Sequence, residues 1–75
     1  MSETLIAAIA QILECEPKEL TLSTSFRDQF NWDSLAYLSV VAMIDSEFGV
    51  AIPQLDFQKL KTISDIADYI ATHRK

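Results

Sequence analysis

The 75-residue chain contains one cysteine, one glycine, two prolines, one histidine and only six basic residues. Each shortage excludes something. With Cys15 alone, an intramolecular disulfide and a cysteine metal cluster are both ruled out. No histidine or second cysteine lies near it in sequence, so Cys15 reads as a small hydrophobe close to a helix end. One glycine and two prolines leave little room for disorder or for many tight turns. Six basic against eleven acidic residues give a net charge of -5, which repels a phosphate backbone and turns the expectation from nucleic acid towards protein partners. No apolar run approaches the roughly 18 residues that cross a bilayer, and the start MSETLIAAIA lacks the basic beginning of a signal peptide. The expectation is a cytoplasmic monomer without membrane insertion. The only histidine, His73, stands near the end of the chain, and no Gly-x-Ser-x-Gly turn is present, so a serine nucleophile would lack its base. Neither catalysis nor a metal site is expected.

What is present is apolar and helical. A hydrophobic fraction of 49% in so short a chain predicts one small module, residues 1–75, with a modest core. Leu5, Ile9, Ile12 and Leu13 fall at i, i+4, i+7 and i+8, which predicts an amphipathic helix from Glu3 to Cys15, stopped by Glu16-Pro17. Residues 17–33 hold Pro17, a Ser-Thr-Ser cluster and Asp28, Asn31 and Asp33, while Leu20, Leu22, Phe26 and Phe30 are spaced too irregularly for one helical face. This stretch reads as a long anchored loop. A second helix is predicted from Ser34 to Phe48, with Gly49 as its stop. Leu55, Phe57 and Leu60 suggest a brief helical turn. Thr62-Ile-Ser-Asp65 has capping-box spacing, and Ile63, Ile66, Ala67 and Ile70 carry the last helix, after which Thr72 to Lys75 read as a frayed tail.

On a wheel of 100° per residue, Tyr37, Val40, Val41, Ile44 and Phe48 share one sector, the predicted core face of the second helix. Leu35, Leu38 and Ala42 fall on the opposite side with Asp45, as a candidate exposed strip beside Ser34. Asp33 or Ser34 fits the N-cap of this helix. A helix N-terminus also favours bound phosphate, so a serine there suits a phosphodiester.

The Asp33-Ser34-Leu35 triplet in an acidic helical chain resembles the prosthetic-group site of acyl carrier proteins. The likeness extends along the chain: Phe26 lies seven residues before Asp33, the helix led by Asp-Ser-Leu ends in Glu47-Phe48, and Ile52-Pro53 and the Thr62-Ile63 helix start follow. The resemblance implies an all-α four-helix bundle, three longer helices plus one short, with a long first loop. It implies that a separate phosphopantetheinyl transferase attaches 4'-phosphopantetheine from coenzyme A to Ser34, beside Asp33 and Leu35. Acyl or aminoacyl groups are then carried as thioesters for fatty acid, polyketide or related biosynthesis, and the chain itself catalyses nothing. Partners implied are the transferase and an acyl ligase, acyltransferase or ketosynthase, met through Leu35, Leu38, Ala42 and Asp45. Tyr37, Val40, Val41, Ile44, Phe57 and Ile63 are candidates to line an acyl pocket.

Two departures stand out. Asn31-Trp32 precede Asp33 where the family usually has a glycine two residues before the Asp, so Asn31 is expected in a left-handed turn. Ala36 and Ser39 occupy positions often acidic, leaving Asp45 and Glu47 as the acids of the second helix. That points away from housekeeping fatty-acid synthesis towards a specialised bacterial pathway. The alternative is a small helical interaction domain in which Ser34 is only a cap.

Overall fold

In the computed structural model, which describes residues 2–29 and 31–74, the first apolar stripe forms α1, Ser2–Leu13. Leu5, Ile9 and Leu13 are buried, and Ile12 packs at the edge of the core. Pro17 does not stop this helix. Glu14 does, in the left-handed region at φ 59°, with the Cys15 N–H donating to Ala10 O at 3.0 Å and the Glu14 N–H to Gln11 O at 3.3 Å. These two bonds close a Schellman-type end, a geometry usually given to glycine. A side chain in this region costs about 1–2 kcal/mol. Glu14→Gly is therefore expected to stabilise the protein by about 0.5–1 kcal/mol, the rest being offset by the freer unfolded chain. Urea denaturation checks this, and a destabilised variant would show that the strain is relieved elsewhere.

The connection to the next helix contains two 3-10 turns, Pro17–Glu19 and Phe26–Asp28. Leu20 and Phe26 are its buried anchors, whereas Phe30 lies outside the described residues. Helix α2, Ser34–Phe48, begins on Asp33 and ends at Gly49, whose φ of 69° lets its N–H return to Asp45 O at 3.0 Å. Its fully buried residues are Ala36, Val40 and Ile44. The core face is thus turned by about 50° from the predicted sector, and Tyr37, Val41 and Phe48 pack at its edge.

The short helix α3, Gln54–Phe57, and α4, Ile63–His73, complete four helices among the described residues. No strand occurs there beyond an isolated bridge between Ser25 and Thr62. Helix α1 packs against both α2 and α4. The core runs through all four helices and includes Phe26, Val50, Ile52, Phe57, Ile63, Ile66 and Ile70.

The first turn of α4 leaves no N–H idle. Ile63 N–H donates to Thr24 O at 3.1 Å and Ser64 N–H to Leu22 O at 2.8 Å, so the long connection is tied to this helix end. Asp65 N–H donates to Thr62 Oγ1 at 3.2 Å, while Asp65 Oδ2 accepts from the Thr62 and Lys61 N–H groups at 3.1 and 2.9 Å. Those backbone donors hold the Asp65 carboxyl below its ordinary pKa. Because the folded-state pKa is the lower one, this contribution is complete above about pH 4 and is lost as pH falls through the folded value. Melting temperature is therefore expected to drop on acidification below about pH 4, with a shallower drop in Asp65→Asn. Identical acid profiles for the two proteins would remove Asp65 from the account.

Helix α4 runs to His73, past the point where a frayed tail is expected to begin. Thr72 and His73 are helical, and the His73 ring stacks on Tyr69 with centroids 3.9 Å apart, its Nδ1 lying 2.9 Å from Tyr69 O. Lys75 lies outside the described residues.

Candidate functional site

Asp33 is extended, at φ -151° and ψ -173°, which lets its side chain fold over the first turn of α2. Its Oδ1 accepts the Ala36 N–H at 2.8 Å and its carbonyl accepts the Tyr37 N–H at 3.0 Å. Asp33, rather than Ser34, is therefore the cap. Ser34 follows as the first helical residue with its side chain exposed. Its hydroxyl, its N–H and the N–H of Leu35 have no hydrogen-bond partner among the described residues. An open hydroxyl thus stands on a helix end with two uncommitted donors, a setting that tolerates negative charge.

Two grooves flank this point. One, of about 360 Å³, is lined by Ser34, Asp33, Trp32, Tyr37 and Arg27, with Gln54 and Phe57 of α3 and Gln58 directly after it on the far wall. The other, of about 330 Å³, lies between the ends of α1 and α2 and is lined by residues including Ile12, Glu14, Asn31 and Leu35. Asn31 spans the second groove, its Nδ2–H donating to Leu13 O at 2.7 Å. The expectation of a left-handed Asn31 rests on a torsion that includes Phe30, outside the described residues.

Arg27 was not among the residues singled out by the sequence. Its Nε–H donates to Leu60 O at 3.0 Å and its Nη2–H to Phe57 O at 2.6 Å, fixing the guanidinium about 5 Å from the centroids of the Phe26 and Phe57 rings. No carboxylate pairs with it among the described residues. A pinned cation therefore shares a groove with Ser34. Nothing in the local sequence announces this, because both acceptors are backbone carbonyls 30 and 33 residues away.

Of the pocket candidates, only Tyr37 and Phe57 face the groove beside Ser34. Val40, Ile44 and Ile63 are buried in the packed core, and Val41 is half-buried against it. The exposed strip is present, with Leu35 72% and Leu38 60% exposed and Ala42 and Asp45 also open to solvent. Leu55 on α3, 72% exposed, adds an outward leucine that the sequence had suggested only as part of a helical turn. One expectation is corrected. Ala36 is 5% exposed and belongs to the core, so a small apolar residue there is a packing requirement and not a missing acid on a recognition surface.

The rest of the site is chemically quiet. Burial, then Glu19 and Glu16, push the half-buried Cys15 thiol above its ordinary pKa, away from the reactive thiolate. No group of three or more His, Cys, Asp or Glu side chains is placed to hold a metal among the described residues. No helix there is long and apolar enough to cross a membrane.

Residues 3–70 match the family described as a phosphopantetheine attachment site. The chain is 38% identical over 72 residues to the meromycolate extension acyl carrier protein of Mycobacterium leprae, covering 91% of this chain and 63% of that protein. It is 35% identical over 68 residues to the acyl carrier protein of Thermosynechococcus vestitus, covering 91% and 84% respectively. It is 33% identical over 75 residues to the acyl carrier protein of Renibacterium salmoninarum, covering 95% and 93%. The chain thus spans a little under two thirds of the length of the first of these relatives.

Proposed function

The chain belongs to the acyl carrier protein family, whose members carry a covalently attached 4'-phosphopantetheine, and we propose that Ser34 is the residue that holds this group. As a carrier it is not an enzyme. The group supplies a terminal thiol on which acyl groups travel as thioesters. The observation that carries the assignment is the exposed Ser34 hydroxyl, free of partners among the described residues, at the start of α2. In attachment, Ser34 Oγ displaces 3',5'-adenosine bisphosphate from coenzyme A. An Oγ–P bond forms, the P–O bond to the nucleotide breaks, and the hydroxyl proton passes to a base of the transferase.

The surroundings fit such a group. Its phosphodiester would lie where the Ser34 and Leu35 N–H groups and the positive end of α2 offer donors. The amide side chains of Gln54 and Gln58 and the Arg27 cation in the adjoining groove suit an amide-bearing arm. Asp33 contributes by holding the helix start and by placing a carboxylate next to the reacting hydroxyl. Intact mass tests the assignment: co-expression with a broad-specificity phosphopantetheinyl transferase should add one phosphopantetheine. An unmodified protein would reject it.

We further propose that residues 1–75 act as one monomeric carrier domain in the cytoplasm, in a specialised bacterial pathway, loaded by a dedicated ligase or acyltransferase. The support is the surface of α2, which offers Leu35, Leu38 and Ala42 with Asp45 and Glu47 as its only acids. Such a helix docks mainly by apolar burial, which moderate salt leaves largely intact, whereas exposed charge pairs are screened over about 10 Å at 0.1 M. Leu38→Ala is expected to weaken the cognate enzyme by about 1–2 kcal/mol, close to tenfold, with little difference between low and moderate salt. Binding titrations at two salt concentrations decide this. Binding that collapses with salt and ignores Leu38→Ala would move recognition to the acids.

A further inference from the structure

The two grooves beside Ser34 differ in the sign of their charge. The one between the ends of α1 and α2 is lined by the Glu14 and Asp33 carboxylates, and the one facing α3 by Ser34 itself and the Arg27 cation. Asp33 borders both, so the difference lies in Glu14 on one side and Arg27 on the other. An anion fixed to Ser34 is repelled by the first groove and drawn to the second. Arg27 is also held still without being neutralised. Its Nε–H and Nη2–H are taken by the Leu60 and Phe57 carbonyls, and its guanidinium lies 5.2 and 5.3 Å from the centroids of the Phe26 and Phe57 rings. Its remaining N–H donors have no partner among the described residues, although the chain has eleven acidic side chains. A half-buried cation gives up water that carbonyl dipoles replace only in part, and an anion completes the set.

Resting on the carrier reading, we infer that Arg27 is a positioning residue for the prosthetic group: it pairs with the phosphodiester on Ser34 and keeps the start of the arm in the groove facing α3, away from Glu14. The contact joins two parts of one folded chain, so it exists only in the native, modified protein and adds to its stability. Because Arg27 is itself bonded to the Phe57 and Leu60 carbonyls, the same residue ties the arm to α3 as well as to α2.

The full chain, Arg27→Gln and Arg27→Lys are each prepared unmodified and as the phosphopantetheine form made from coenzyme A, with loading confirmed by intact mass. The quantity compared is the change in melting temperature on attachment within each protein, so the α3 bonds that Arg27→Gln loses cancel between its two forms. At low salt this change is expected to be more positive in the parent than in Arg27→Gln by at least about 2 °C, with Arg27→Lys in between. The gap should close in about 1 M salt, where charges are screened over about 3 Å. An Arg27 that only braces α3 lowers both forms alike, so an equal change on attachment in all three proteins would overturn the inference, as would a gap that survives the salt. In amide spectra of the parent, attachment should shift the Arg27 Nε–H and the Gln54 and Gln58 amides and leave those of Glu14 and Ser39 in place. The reverse pattern puts the arm in the other groove and sinks the idea. Should Arg27→Gln fail to fold, Arg27→Lys and the parent's spectra decide. If no form gains mass at all, the attachment reading itself fails, which is distinct from a loaded protein whose Arg27 does not respond.

Discussion

Ser34→Ala should leave the protein wholly unmodified by a phosphopantetheinyl transferase while its far-UV circular dichroism and melting temperature stay close to those of the parent. The two halves of this expectation come from different atoms. Modification needs Oγ as the nucleophile, and no other serine stands at the start of α2. The fold does not need it, because the cap is Asp33 and the Ser34 hydroxyl has no partner among the described residues. Alanine is also a good helix former at such a position. A modified Ser34→Ala protein, detected by intact mass, would transfer the site to another hydroxyl. A large loss of stability would mean that Ser34 is structural after all.

Phe57→Ala should be the most damaging single substitution among these. Truncating a fully buried phenylalanine costs about 3–5 kcal/mol through lost transfer energy and the cavity left behind. Here the three ring contacts disappear with it. Small domains are stable by about 5–15 kcal/mol in all, so the variant should unfold at far lower urea than the parent. Phe57→Leu should lose less than half as much, since it keeps apolar fill and gives up only the ring geometry. Trp32, the only tryptophan, lies against Phe57, so its fluorescence reports on both variants. Equal midpoints for Phe57→Ala and the parent would show that the ring cluster is not a stabilising centre.

Much of the fold could be read from local signals because the residues concerned act within one turn. Asp33 caps α2 three residues ahead, Gly49 closes it, and Thr62 and Asp65 bond each other reciprocally. Ser34 and the exposed Leu35, Leu38 and Ala42 follow from that register. What escaped depends on distance or on which neighbour arrives. Pro17 drew the end of the first helix towards itself, whereas a left-handed Glu14, which no propensity favours, ended it earlier. Ala36 lay just outside the predicted sector, yet it is buried. A small side chain can sit on either side of such a boundary, and the packing of α1 and α2 decides. Arg27 carried no signal because its acceptors are backbone carbonyls at the end of a distant short helix and three residues beyond it, and four residues such as Gln54–Phe57 hold too little periodicity to announce themselves.

The tie between the long connection and α4 has a kinetic side. The Thr24 and Leu22 carbonyls bond the Ile63 and Ser64 amides across some forty residues of chain, so forming those bonds requires a large loop to close, at an entropic cost that slows folding. In the native protein the same two amides depend on the connection staying docked. Their hydrogen exchange therefore measures how often that segment lifts away while the helices remain intact, and a transferase that lifts it would unprotect both amides while sparing the middle of α4.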